Sequence, residues 1–158
     1  MSQASHEEIV RRAFESFRHL NLDGFTAEWH PDVVWDVSGY DDWPGEKTTY
    51  RGTHEVLDGF AHYLAGIKGF QTSGHEVVGI DHQRVLGLHN EHRTTQDGTP
   101  VMVEIGVVYL FADGQVVRAD VYTGHARARW LFCACPSRGR RWVPLWPPAA
   151  AGSPLRRR

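Results

Sequence analysis

Residues 101–111, V-M-V-E-I-G-V-V-Y-L-F, constrain this chain more than any other stretch. They are rich in β-branched and aromatic types, free of proline, and carry a single charge, Glu104. A strand with one wet face alternates apolar and polar residues. This run does not, so it reads as a central strand covered on both faces. Turn signals flank it: Gln96-Asp97-Gly98-Thr99 before, Ala112-Asp113-Gly114 after. Asp-Gly between apolar runs is a strong hairpin signal, because a tight turn needs residues that tolerate positive φ. The expected unit is an antiparallel meander of residues 85–95, 101–111 and 115–123. Everything upstream must supply what packs on it.

Ser5-His6-Glu7-Glu8 has the form of a capping box, with Ser5 as N-cap of a first helix. Ile9, Val10, Ala13, Phe14, Phe17 and Leu20 then recur at helical spacing. A second short helix fits residues 22–29, with Phe25 and Trp29 one turn apart and His30-Pro31 ending it. Residues 33–37 read as a strand and 38–50 as a loop. Thr53 is the expected N-cap of a third helix, with Glu55 favourable in the first turn. Val56, Leu57, Phe60, Ala61 and Leu64 form its expected buried face. Residues 70–81 make a weaker strand, diluted by Gly74 and Gly79. The order helix, helix, strand, helix, then four strands gives an α+β layout with the helices on one face of a curved sheet.

Composition sets the bounds. A length of 158 residues fits one domain. No apolar run reaches about 18 residues, so no membrane span is expected. The polar N-terminus lacks a secretory segment, which makes the cytoplasm the default compartment. Cys133 and Cys135, in C-A-C, are badly placed for a disulfide and insufficient for zinc. His89 and His92 fall on opposite faces of a strand, and His54 and His62 are too far apart on a helix, so no metal is expected. There is no phosphate loop, nucleophile elbow or Cys/His nucleophile arrangement.

The charge is unevenly spread. All 19 acidic residues lie before position 130, together with 11 of the 17 basic ones. From His125 onward no helix or strand period is visible. Residues 130–158 hold five of the eight prolines and six arginines. The expected division is therefore a folded domain over 1–129 and a basic Pro/Arg/Trp-rich tail over 130–158. That tail reads as disordered, as an out-of-frame extension or, with least support, as an arm for an anionic partner. No nucleic-acid motif is present, so no nucleic-acid partner is expected.

Register decides which side chains share a cavity, because a one-residue slip exchanges the faces. With Asp97-Gly98 as a two-residue turn, Gln96 pairs with Thr99. Thr94, His92, Asn90 and Leu88 then face Val101, Val103, Ile105 and Val107. Glu91, Arg93 and His89 fall on the opposite face. For the second hairpin a three-residue loop with Gly114 left-handed places Val117, Ala119, Val121 and Thr123 with Tyr109 and Val107. Arg118 and Asp120 fall with Glu91, Glu104 and Arg93. An apolar, helix-covered face holding an island of Asn90, His92 and Thr94 points to a pocket, with a hydrogen-bonded structural His92 as the plain alternative.

At P-D-V-V-W-D (residues 31–36) and Y-R-G-T opening a helix (residues 50–53), the chain resembles a known family. It is similar to the SnoaL-like polyketide cyclase and ketosteroid isomerase branch of the nuclear transport factor two-like superfamily. L-D-G at 22–24, D-G-Q-V-V at 113–117 and the R-A-D-V-Y that follows fit as well. The likeness covers roughly residues 6–129 and its motifs specify the fold rather than a reaction. It implies a cone-shaped fold, also called cystatin-like: a curved antiparallel sheet wrapped by three N-terminal helices around an apolar cavity. It also implies a homodimer, an apolar small-molecule substrate, and neither organic cofactor nor metal.

In ketosteroid isomerase-like members an aspartate at the end of the first strand abstracts a proton beside a carbonyl, and Asp36 matches it. The isomerases hold the enolate with a tyrosine on the first helix and a protonated aspartic acid on the central strand. This chain offers Ala13 or Phe14 and Val107 there, so steroid isomerisation is not expected. The resulting expectation is acid–base chemistry without a cofactor: proton abstraction, aldol-type cyclisation, isomerisation or dehydration of a polyketide-like substrate. Asp36 is the candidate base, and His92 or Asn90 the donor to the carbonyl oxygen. Thr94, Tyr109, Val107, Phe17, Trp29 and Thr123 complete the expected substrate wall. Two alternatives stay open. One is a non-catalytic binder or scaffold of the same fold. The other is an epoxide-hydrolase-like enzyme built on Arg93 and Glu91, which becomes the better reading if the first hairpin is shifted by one residue.

Overall fold

The computed structural model describes residues 3–133. Four helices and six strands follow in the order α1 (Gln3–Arg18), α2 (Leu22–Phe25), β1 (Trp29–Gly39), β2 (Thr49–Arg51), α3 (Gly52–Ala65), β3 (Lys68–Gly79), β4 (Arg84–Thr94), β5 (Pro100–Ala112), β6 (Gln115–Thr123) and α4 (His125–Cys133). The strands form one curved, unclosed sheet in the order β2-β1-β6-β5-β4-β3. All neighbours are antiparallel except β1 and β6, which run parallel. The expected α+β class and the central place of the Val-rich strand are what the structure has. Among the described residues no helix is long and apolar enough to cross a membrane.

The inner face of the sheet carries the main core. Ile9, Val10, Ala13, Phe14 and Phe17 of α1 and Val56, Phe60 and Tyr63 of α3 pack against Val33, Trp35 and Val37 of β1. Ile105, Val107, Tyr109 and Phe111 of β5 and Ala119 and Val121 of β6 join them. A smaller cluster, Leu86, Leu88, Val108 and Ala128, lies on the outer face beneath α4.

Several boundaries differ from the sequence expectation, each for a local reason. α1 starts at Gln3, so Ser5 lies within the helix rather than at its N-cap, and Leu20 is exposed with φ +55°. α2 is a single turn capped by the Asn21 side chain accepting from Gly24 N at 3.0 Å. The extended bias before Pro31 reaches back to Trp29, which starts β1 instead of ending a helix. α3 is N-capped by Arg51, not Thr53, with Glu55 accepting from the Arg51 backbone at 3.0 Å. Its buried face is Val56, Gly59, Phe60 and Tyr63, so Ala61 points to solvent and Tyr63 points in. The stretch read as loop 38–50 begins with the end of β1 and runs into the edge strand β2.

The chain from His125 also departs from expectation, because α4 runs through the 129/130 boundary. Ala128 is fully buried and sits against Gly106, where a Cβ would lie 2.3 Å from the Ala128 Cβ. The expectations for 134–158, including Cys135, lie outside the described residues.

The hairpin turns decide the faces. Thr95 N donates to Thr99 O at 2.9 Å, and Gly98 takes φ +88°, so the first turn has three residues, not two. Thr99 N donates to Thr95 Oγ1 and to Asp97 Oδ1, both at 3.1 Å, which holds that longer turn. Thr94 therefore pairs with Pro100, His92 with Met102, Asn90 with Glu104 and His89 with Ile105. This shifts the expected register by one residue and exchanges the faces of β4. The second turn is also the reverse of the expectation, with Asp113 and Gly114 both at positive φ in a two-residue turn. A bulge between Leu110 and Phe111 adds back the missing residue. Ala119 thus meets Tyr109, and Val121 meets Val107, as expected; Val116 rather than Val117 fills the next inward place.

Candidate functional site

The inner face encloses a hollow lined mainly by aromatic rings: Phe14, Phe17, Phe25, Trp29, Trp35, Tyr40, Trp43, Phe60, Tyr63 and Tyr109, with Ile105, Val107 and Val121. Their packing is ordered. Trp35 stacks on Phe60 at 4.2 Å, and Trp43 stacks on Tyr63 at 4.9 Å. Trp43 and Tyr40 come from the loop after β1, which is thereby a cavity wall. The hollow is narrow, about 30 Å³, room for one or two water molecules. A larger ligand needs this aromatic wall to open.

Among the described residues its one charged lining side chain is Glu91, which with His89 projects inward from β4 because of the register shift. Both are almost fully buried, at 5% and 3% exposure. Tyr63 donates to Glu91 Oε2 at 2.6 Å, and Tyr40 donates to the same oxygen at 3.3 Å. The two phenol oxygens are 2.9 Å apart. His89 Nε2 lies 3.4 Å from the other carboxylate oxygen. Arg93 completes the chain from the rim, donating through a guanidinium N–H to Tyr63 Oη at 3.2 Å.

Burial and the Glu91 charge push the Tyr40 phenol up to about 12 and raise Tyr63 as well, so both are donors rather than phenolates at neutral pH. Two buried polar atoms of the lining, His89 Nδ1 and Tyr109 Oη, have no hydrogen-bond partner among the described residues. Unsatisfied groups of this kind cost free energy in a folded protein and cluster where a ligand or water completes them.

The residues expected from sequence divide cleanly. Phe17, Trp29, Val107 and Tyr109 do line the hollow. Asp36 and His92 do not, because each lies on the outer face of its strand. Asp36 accepts from Ser38 N at 2.9 Å and from Arg118 at 3.1 Å, and Arg118 also holds Asp120 at 2.7 Å. Burial pushes the Asp36 carboxyl upward, but these hydrogen bonds and the Arg118 charge outweigh it, and the net direction is down. His92 is bonded to Ser73 Oγ at 2.7 Å. Asn90 faces outward beside Glu104, and Thr94 sits at the strand end in a groove outside the hollow. Thr123 donates to Asp41 Oδ2 at 2.5 Å and pins the loop after β1. Glu91 with Arg93 is the alternative that the sequence ties to a one-residue shift of the first hairpin, and that shift is the one the structure has. His89 and Tyr63 are not among the residues expected at the site, and no spacing in the sequence singles them out.

Residues 10–119 match the model of the SnoaL-like domain, and the chain belongs to that family. Among solved structures it is similar to a nuclear transport factor two-like protein of unknown function from Burkholderia pseudomallei K96243. That pair is 24% identical, covers 85% of this chain and 100% of the other, and has a TM-score of 0.67. A protein provisionally named a polyketide cyclase, from Xanthomonas campestris pv. campestris, is 16% identical over 80% of this chain and 96% of its own, with a TM-score of 0.67. One provisionally named an isomerase, from Bacillus subtilis, is 16% identical over 82% and 94%, with a TM-score of 0.64. At these identities the likeness establishes the fold. No curated protein matches the chain.

Proposed function

We propose that this protein is a small enzyme of acid–base chemistry, using Glu91 to take a proton from carbon beside a carbonyl group. The observation that carries the reading is a carboxylate at 5% exposure in an aromatic hollow, held by two phenols and a histidine. A buried polar network built only for stability is a costly choice where apolar residues would pack as well. In the proposed step the substrate C–H bond breaks, its proton passes to a Glu91 oxygen, and the electron pair moves onto the carbonyl oxygen as an enolate. Tyr40 and His89, which line the hollow beside Glu91, are the groups assigned to hold that oxyanion. Return of the proton to another carbon gives isomerisation, attack on a second carbonyl gives cyclisation, and loss of a β-hydroxyl gives dehydration. The provisional names of the structural relatives point to the same classes, and an apolar, polyketide-like substrate suits the aromatic wall.

The test is exchange of the α-protons of 2-tetralone in D2O, followed by NMR. Wild-type protein should accelerate exchange over buffer. Glu91→Gln should lose about 10²-fold or more of that acceleration, while Asp36→Asn keeps it. Undiminished exchange in Glu91→Gln would remove the proposal. A second reading, a binder without turnover, is favoured by the narrowness of the hollow alone, and it predicts no acceleration by wild type.

A further inference from the structure

Three arginines of the described residues are half-buried: Arg84, Arg93 and Arg118. Two are held by carboxylates, Arg84 by Asp81 at 2.6 Å and Arg118 by Asp36 and Asp120 at 3.1 and 2.7 Å. Arg93 has no carboxylate within ion-pair distance among the described residues. Its one side-chain hydrogen bond is to the neutral Tyr63 phenol at 3.2 Å. A guanidinium carries five N–H donors in a planar fork, and a partly buried one with a single neutral partner is under-used.

The unused donors border an open groove of about 260 Å³ outside the hollow, lined by Arg93, Thr94, Thr95, His62 and Tyr63, with Asp42 also in its wall. Asp42 makes no ion pair with Arg93. Tyr63 lines both the groove and the inner hollow, so one phenol forms the wall between them. It accepts from Arg93 on one side and donates to Glu91 on the other, which keeps the guanidinium and the buried carboxylate from pairing directly.

We infer that Arg93 anchors a carboxylate of the ligand, so that the molecule this site takes is an apolar body bearing one acid group. The acid lies in the groove, bound two-point by the guanidinium fork beside Thr94. The apolar body then runs past Tyr63 toward the aromatic hollow and Glu91. This names a substrate class for the site proposed above and rests on that reading for the direction in which the ligand lies, but binding is measured without turnover.

The experiment is calorimetric titration of the full-length chain with 3-phenylpropanoate and with its neutral isostere 3-phenylpropanamide. Wild type should bind the acid at least tenfold tighter. Arg93→Gln should bring the two affinities together by weakening the acid alone, and Arg93→Lys should keep part of the preference. The acid should also shift the backbone NMR signals of Thr94 and Thr95 in the wild-type protein, a readout that does not depend on any variant folding. Equal affinities in wild type, an unchanged preference in Arg93→Gln, no binding of either probe, or shifts confined to another surface would each overturn the inference. Loss of α-proton exchange in Glu91→Gln alongside any of these outcomes would leave the base standing and remove only the anchor.

Discussion

Tyr63 donates its phenol proton to Glu91 Oε2 at 2.6 Å, and that bond joins α3 to β4 across the mouth of the hollow. The Tyr63 phenol oxygen also accepts from Arg93 at 3.2 Å and lies 2.9 Å from Tyr40 Oη. Glu91 and Arg93 of β4 and Tyr40 of the loop after β1 therefore all depend on one hydroxyl of α3. Tyr63→Phe should destabilise the protein by about 1–3 kcal/mol, because a buried carboxylate loses its nearest donor. Tyr40→Phe should cost less, since its own bond to Glu91 is longer, at 3.3 Å. The two losses should not add, and a double-mutant cycle by urea unfolding measures the coupling. Additive effects would mean the phenols act independently.

The phenols also set an alkaline limit. Burial and the Glu91 charge raise Tyr40 from its ordinary value near 10 to about 12, and burial raises Tyr63 and Tyr109 too. A folded-state value above the unfolded one means the native state holds more protons between the two. Stability from this source is complete below about pH 10 and is lost as pH climbs toward 12. Absorbance at 295 nm should accordingly rise at higher pH in the folded protein than in urea, and Tyr40→Phe should flatten the fall in unfolding free energy over that window. Coincident titrations of the folded and unfolded protein would contradict this.

Asp36 belongs to an outer-face ion cluster with Arg118 and Asp120 and makes no contact with the hollow. Asp36→Asn should cost at most about 1 kcal/mol, the usual range for a partly exposed pair. Its folded value is lowered, so its contribution is present above the unfolded value near 3.9 and disappears as pH falls further. The substitution should therefore flatten the acid limb of stability below about pH 4, read by thermal unfolding across pH, and leave catalysis alone. A catalytic collapse in Asp36→Asn would move the site to the opposite side of the sheet.

How far the sequence reaches is visible in β4. The strands announce themselves because β-branched and aromatic runs bounded by Asp-Gly turns have few other solutions. The faces of β4 do not, because it is covered on both sides and L-G-L-H-N-E-H alternates one polar or small residue with another. The apolar pattern then cannot choose between a two-residue and a three-residue turn, and one residue exchanges Asn90 and His92 for His89 and Glu91. β6 escaped the same fate only because its bulge compensated for a wrongly read turn. β2 is too short to show a period, and among the described side chains of α4 Ala128 is the one deeply buried. Tyr63 was hidden by a rotation of the α3 face toward Gly59, where the Tyr50 ring comes within 2.8 Å of the place a Cβ would take.

The docking of α4 rests on Gly106. An added Cβ there would lie 2.3 Å from Ala128 Cβ and 3.3 Å from a Leu88 methyl, and neither neighbour can give way freely. Ala128 and Leu88 are both fully or almost fully buried, and Ala128 is held by its backbone bond to Gly124 O at 3.1 Å. Gly106→Ala should therefore lift α4 from the sheet, at a cost of about 1–3 kcal/mol, the range for overpacking a filled core. The inner face of β5 is untouched by this change, because Ile105 and Val107 flank Gly106 on the other side of the strand. Hydrogen exchange should accordingly rise in residues 125–131 while the amides around Glu91 stay protected. Ala128→Gly in the same chain removes the opposing methyl and should restore much of the docking. If Gly106→Ala leaves the exchange of α4 unchanged, the helix does not depend on that contact.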